Sequence, residues 1–277
     1  MNSKLDKKEN NIEKSFLSIF ITTFTTIFIA ELGDKTQIAT LMLSAESGKP
    51  IIVFIGDYHA STYPMWAPGR RRKTIPYGIS AEFMNVPQLE TPPSPRAIFT
   101  SNPLRSLSWL LEIWEKSIWP LIPQAEFHLF TGSKTYGKVG QRKSSEMAGI
   151  LGVAERLEDK GVVIRGPVAK SQLIEEFKES RVMLYRGDVN ETFCLALGES
   201  QAAGVPAIVQ DYGSTPERVK DGQTGFITKS DEDFANAAIS LLKDDQKWRE
   251  FHLNCQKQQR HWGWREVAQS FEGFIPK

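Results

Sequence analysis

From residue 97 to the end of the chain, short apolar runs alternate with longer amphipathic stretches, and this alternation constrains the fold more than any other feature. "AIFTSN" reads as a strand and "RSLSWLLEIWEKS" as an amphipathic helix. "AEFHLFTG" is a strand closed by glycine, and "VVIRG" is another. The pattern continues with "KSQLIEEFKES" (helix), "RVMLY" (strand), "TFCLALGESQAAG" (helix closed by glycine), "VPAIVQ" (strand), "PERVKDG" (short helix) and "TGFIT" (strand). "DEDFANAAISLLKDD" and the segment from 246 onward read as helices. Strands that alternate with helices at this spacing imply βαβ units and a doubly wound, Rossmann-like parallel sheet. Apart from Glu126 and His128 in "AEFHLFTG", the apolar runs show no polar alternation, as expected of strands covered on both faces. In such sheets ligands bind beyond the carboxyl ends of the strands.

Upstream of this region the character differs. Residues 1–14 form a polar tail, and residues 16–30, "FLSIFITTFTTIFIA", carry no charge. These fifteen residues fall short of the ~20 needed to span a bilayer. The span suffices only if it continues through "ELGDKTQIATLMLSA", which puts Glu31, Asp34 and Lys35 in or at the edge of the membrane. A signal anchor and a buried amphipathic helix are the alternatives, and no A-x-A cleavage site follows the run. "IIVFIG" at 51–56 is a second apolar run, too short to span alone. Arg70, Arg71, Arg72 and Lys73 fit either a membrane flank or a solvated loop. "LETPPSPR" at 89–96 has linker composition. These features divide the chain into a tail (1–14), a membrane segment (15–56), a linker or crossover (57–95) and an α/β domain (96–277).

Formal net charge is +1, which gives no electrostatic reason to expect a nucleic-acid partner. Two cysteines, Cys194 and Cys255, make neither a disulfide framework nor a zinc motif. His59, His128, His252 and His261 form no metal-binding spacing.

The stretch "ETFCLALGE" holds two glutamates, Glu191 and Glu199, eight residues apart. A helix starting near Thr192 would leave the N–H groups of Thr192, Phe193 and Cys194 without helical partners, an anion site favoured by the helix dipole. Eight helical residues rise ~12 Å and turn about 2.2 times, so the two carboxylates share one side. This arrangement suits a nucleotide sugar; two solvated helix glutamates fit the spacing equally. Cys194 reads either as a thiol activated at a helix mouth or as a small residue where space is short.

The run from Glu191 to Ile227 joins the glutamate pair to "AAGVP", a glycine after the next strand, "PERV" and "DGQTGF". It resembles the C-terminal, donor-binding half of glycosyltransferases of the GT-B fold, most like glycosyltransferase family 4. The resemblance covers about residues 57–277, with "KTIPYGISAEF" as the crossover into that half. It implies a metal-independent, retaining transferase with a nucleotide-sugar donor, an unknown glycosyl acceptor and no cofactor. Glu191 would act on the sugar as the catalytic residue. Arg105, in "IFTSNPLRSLSWLLEIW", would contact the diphosphate together with the Thr192, Phe193 and Cys194 amides. Glu199 would hold the ribose, and Arg165, Gly166 and Lys170 would face the base. Family members carry glycine where this chain has Ser106, and the family's N-terminal acceptor domain has no counterpart here.

"ELGDKTQ" resembles the E-x-G-D-K-T motif of a family of membrane cation/proton exchangers, the Golgi-type manganese and calcium transporters. The resemblance runs over about residues 15–56 and implies Glu31 and Asp34 as ligands for manganese or calcium. The family builds its site from two such motifs, whereas this chain has one. The combined expectation is a nucleotide-sugar-binding domain on a membrane anchor, with its soluble part in the cytoplasm. A truncated cation exchanger and an inactive fusion remnant are the alternatives.

Overall fold

The computed structural model describes residues 51–66, 71–132 and 142–273. Most of the expected membrane segment, with Glu31 and Asp34, lies outside the described residues. Its last part does not: Ile51–Phe54 is strand β1, which pairs with β2 (Arg71–Thr74) in a two-stranded sheet. "IIVF", expected as the end of the membrane segment, is therefore strand. Its β-branched and aromatic residues favour that outcome. Among the described residues, no helix is long and apolar enough to cross a membrane.

Residues 54–67 and 74–272 make up one compact unit. Its centre is a six-stranded sheet formed by β3 (Arg96–Phe99), β4 (Glu126–Leu129), β5 (Val162–Ile164), β6 (Val182–Leu184), β7 (Ala207–Gln210) and β8 (Gly225–Thr228). Every adjacent pair is parallel, and the order is β5-β4-β3-β6-β7-β8. The chain winds outward from β3 in one direction, returns, and winds outward from β6 in the other. The doubly wound reading thus holds, with its switch point between β3 and β6.

The strands are short because only their buried lengths pair. All residues of β6 and β7 are buried, as are the last three of β3 and of β4. Helices cover both faces: α3 (Leu107–Ile113), α4 (Ser144–Glu155), α5 (Lys170–Lys178), α6 (Leu195–Ala202), the single turn α7 (Thr215–Arg218), α8 (Asp231–Lys243), α9 (Asp245–Gln259) and α10 (Trp264–Glu272). Trp114, Trp248, Phe99, Phe127 and Phe234 are fully buried between these layers. Each such side chain contributes roughly 1.5–3 kcal/mol by leaving water.

Local chemistry sets the helix ends. The Ser230 hydroxyl accepts from the Asp233 N–H at 3.1 Å, and Asp231, Glu232 and Asp233 load the first turn of α8 with negative charge. The Asp244 carboxylate does the same for α9 through the Lys247 N–H. The helix expected over 105–117 begins at Leu107, changes to a π-turn over Trp114–Ile118, and stops where Pro120 follows. Helix α4 was not legible in the sequence.

The segment between Asp57 and Pro95 holds more structure than linker composition suggests. It contains two short helices, α1 (Asp57–Ser61) and α2 (Ala81–Met84), and Ile75, Ile79, Phe83 and Val86 are buried. Phe83 packs on Phe177 of α5 with ring centroids 6.0 Å apart.

Candidate functional site

The loops after β3 and β6 meet at the switch point. The β3 loop tightens through an Asx turn, in which the Asn102 carboxamide oxygen accepts from the Leu104 N–H at 2.9 Å. Next come Arg105 and then Ser106, whose φ of 61° is left-handed. A glycine at this position would take the conformation freely, having no Cβ. In this chain, the Ser106 hydroxyl donates to the Gly187 carbonyl at 3.2 Å, tying the β3 loop to the β6 loop.

The β6 loop supplies two carboxylates. Asp188 accepts from the Asn190 N–H at 2.7 Å and pairs with an Arg105 terminal nitrogen at 2.8 Å. Glu191 lies 3.9 Å from the Arg105 Nε. One Glu191 oxygen accepts from the Tyr185 hydroxyl at 2.8 Å and the other from the Cys194 N–H at 3.2 Å. Glu191 is therefore fixed in orientation from two sides while about a fifth of its side chain remains open to solvent. Burial, then the neighbouring Cys194 and Glu191, hold the Tyr185 hydroxyl well above its ordinary pKa, so it stays a neutral donor.

Helix α6 begins at Leu195, three residues later than the sequence suggested. Its cap is Cys194, the other left-handed non-glycine residue among those described, with φ 54°. Three consequences correct the sequence reading. Glu191 lies in the loop before the helix, not at its mouth. The Cys194 amide serves Glu191, and the helical first turn begins only at Leu195. The Phe193 ring is buried, 5.0 Å from Tyr77 and under the Arg218 guanidinium at 4.3 Å. Thr192 precedes it in the same non-helical stretch. The Cys194 thiol is pushed up to about 12 by burial and by the Glu191 charge. It is protonated at any physiological pH, which removes the reactive-thiol alternative.

Glu199 is buried on α6 and belongs to a second cluster. Its carboxylate accepts from the Lys170 ammonium at 2.6 Å. Burial raises its pKa, and the Lys170 hydrogen bond opposes the rise. Lys170 opens α5 and stands 5.5 Å over the Phe83 ring. Thus two residues expected at different parts of a nucleotide, Glu199 and Lys170, form one ion pair. Arg165 turns to Glu176, 2.9 Å away, a carboxylate it shares with Arg96 at 3.5 Å. Gly166 takes φ 69° in the loop between β5 and α5. Asp188, three residues before Glu191, is the site residue the sequence reading missed; its only signal was its place in the loop after a buried strand.

Comparison with known proteins bears on the same residues. Residues 152–262 match the family model described as "Glycosyl transferases group 1". Residues 19–63 match "Divalent cation/proton antiporter GDT1". The chain is similar to a D-inositol 3-phosphate glycosyltransferase of Streptomyces avermitilis, 36% identical over 92 residues, which are 33% of this chain and 20% of that protein. A GDT1-like protein of Schizosaccharomyces pombe is 48% identical over 48 residues, 17% of this chain and 18% of that protein. The chain spans between 20% and 27% of the length of the first glycosyltransferase relatives it matches. Among solved structures, a sucrose-phosphate synthase of Thermosynechococcus elongatus superposes with a TM-score of 0.64 at 18% identity, covering 89% of this chain and 64% of the other. Anabaena Alr3699/HepE, solved with UDP and glucose, superposes with a TM-score of 0.63 at 17% identity, covering 80% of this chain and 62% of the other. At these identities the likeness shows a shared fold: the parallel α/β fold of glycosyltransferases.

Proposed function

We propose that residues 54–272 bind a nucleotide-sugar donor at the β3–β6 switch point and transfer its glycosyl group when an acceptor site is completed. The observation that carries this reading is the convergence of Arg105 and Glu191, from loops on separate halves of the sheet, beyond the strand ends where such folds bind ligands. Glu191, held by Tyr185 and Cys194, accepts hydrogen bonds from the sugar hydroxyls. Arg105 leaves Asp188 for the donor diphosphate, and the first-turn N–H groups of α6 add to the anion site. As the bond from the anomeric carbon to the diphosphate oxygen breaks, negative charge grows on the leaving group, where Arg105 stabilises it. Glu199 accepts from the ribose hydroxyls, and Lys170 turns toward the nucleotide. The chemistry is retaining and draws no metal from these residues.

UDP is the first nucleotide to test, because Alr3699/HepE is described with UDP. Titration of UDP, GDP and ADP into the full chain by calorimetry is expected to show saturable binding of one of them, weakened at least tenfold by Arg105→Ala and by Glu199→Ala. Folded protein that binds none of the three refutes the reading.

The match of residues 19–63 to a cation antiporter supports a second role for the amino-terminal segment. We propose that it anchors the domain to a membrane with the donor site in the cytoplasm. A residual manganese or calcium site at Glu31 and Asp34 would show as metal binding lost in Glu31→Ala.

A further inference from the structure

Tyr77 and Arg218, the two residues packed on the Phe193 ring, also line a cavity of about 400 Å³. Tyr77 and Trp262 give it aromatic walls, and Arg218, Lys220 and His261 line it with nitrogen. Its one carboxylate is Glu217, and that group is already engaged: its oxygens accept from the backbone N–H groups of Asp57 (3.1 Å) and Tyr58. Lys220 donates to the Gln258 carboxamide at 2.6 Å, a neutral partner.

Arg218 is the anomaly. Its guanidinium stacks 4.3 Å over the Phe193 ring but has no ion pair and no side-chain hydrogen bond among the described residues. Its Nε is buried without a partner. A guanidinium N–H shielded from water is ordinarily paired, because an unpaired donor loses its hydration with nothing in exchange. The cation–π contact offsets part of that. It leaves the buried Nε–H without a protein acceptor.

We infer that this cavity is a second binding site, distinct from the switch-point site, for a small molecule that carries a phosphate or carboxylate on an aromatic or otherwise flat body. The acid group pairs with the Arg218 fork and with Lys220, and the body lies between Tyr77 and Trp262. The geometry suits arginine in particular, since its planar donors match a two-oxygen anion.

The test uses the full chain, with phenyl phosphate and phenylacetate as probes, inorganic phosphate as the body-free control, and ionic strength held constant with sodium chloride. Calorimetry is expected to show saturable one-to-one binding of at least one aromatic probe, with inorganic phosphate at least tenfold weaker. The better of the two acids tells phosphate from carboxylate. Arg218→Met, which removes the guanidinium and leaves an apolar side chain beside Phe193, is expected to stay folded and to lose at least tenfold in affinity. Should it fail to fold, Lys220→Met carries the same expectation with a smaller loss, and quenching of Trp262 by the probe, absent in Trp262→Phe, is the second readout. No saturable binding by folded wild-type chain, or equal binding by both variants, overturns the inference. UDP titrated into the same samples separates the two sites: lost probe binding with intact nucleotide binding bears on this cavity alone, and Arg105→Ala leaves probe binding unchanged.

Discussion

Replacing Lys170 with methionine tests whether the buried Glu199 carboxylate depends on its one cationic partner. The change removes the ammonium and with it both the 2.6 Å contact to the carboxylate and the weaker cation–π contact at 5.5 Å from Phe83. The Lys170 side chain is 55% exposed, whereas that of Glu199 is 11% exposed. A water-like dielectric at that separation gives about 1.6 kcal/mol, and an interior value several times more. Because the lysine is well solvated, the lower end applies, and Lys170→Met should destabilise the fold by about 1 kcal/mol at pH 7. The pH dependence follows from the direction of the Glu199 shift. Its folded pKa is raised above the unfolded value, so the native state holds the proton more tightly. Glu199 thus favours folding at low pH, and that contribution is lost as pH rises from the unfolded value through the folded one. The Lys170 contact opposes this only while Glu199 is ionised. The penalty of Lys170→Met should therefore be full at pH 7 and fade as pH falls through the raised Glu199 value. Urea unfolding at several pH values between 7 and 4 measures it, with Glu199→Gln as the second arm of a double-mutant cycle. A loss that is the same at both ends of the range, or that persists unchanged in the Glu199→Gln background, would refute the reasoning.

Two further outcomes follow from the left-handed residues at the switch point. Ser106→Gly should be more stable than Ser106→Ala by about 1 kcal/mol in urea unfolding, the reverse of the usual order, because both lose the hydroxyl bond to Gly187 but only alanine strains at the positive φ; equal stabilities would mean that Ser106 does not hold that conformation. With its thiol pushed up to about 12, Cys194 should resist iodoacetamide at pH 8 in native protein and react only on unfolding, and mass spectrometry of the labelled peptide decides it.

The layered fold was legible because buried parallel strands are apolar throughout, and the runs around Ile98, Phe127, Met183 and Ile208 announce themselves. Helix α4 was not, because Gly149 and Gly152 interrupt its pattern and lower its helical propensity. Strand β2, "RRKT", is exposed and charged along its length, so neither periodicity nor hydropathy marks it. At the site, Glu191 and Arg105 stood out through the motifs around them. Asp188 did not, since its role comes from where two distant loops meet. The late start of α6 was hidden for a related reason: "TFC" can join a helix, and what keeps it out is the burial of Phe193 against Tyr77 and Arg218. Arg218 itself reads as a surface residue in any pattern, and only the packing reveals its unpaired guanidinium.

The tie between Ser106 and Gly187 joins residues 81 apart in the chain. Closing so long a loop has an entropic cost that local contacts cannot offset in advance. The β3 half can assemble on its own neighbours, β4 and β5, while β6 is still being synthesised, but Arg105 then has neither Asp188 nor Glu191. The arginine's partners arrive only when β6 docks beside β3. In refolding from urea, sheet signals should therefore appear before nucleotide binding does, and the lag between them would time the docking of the two halves.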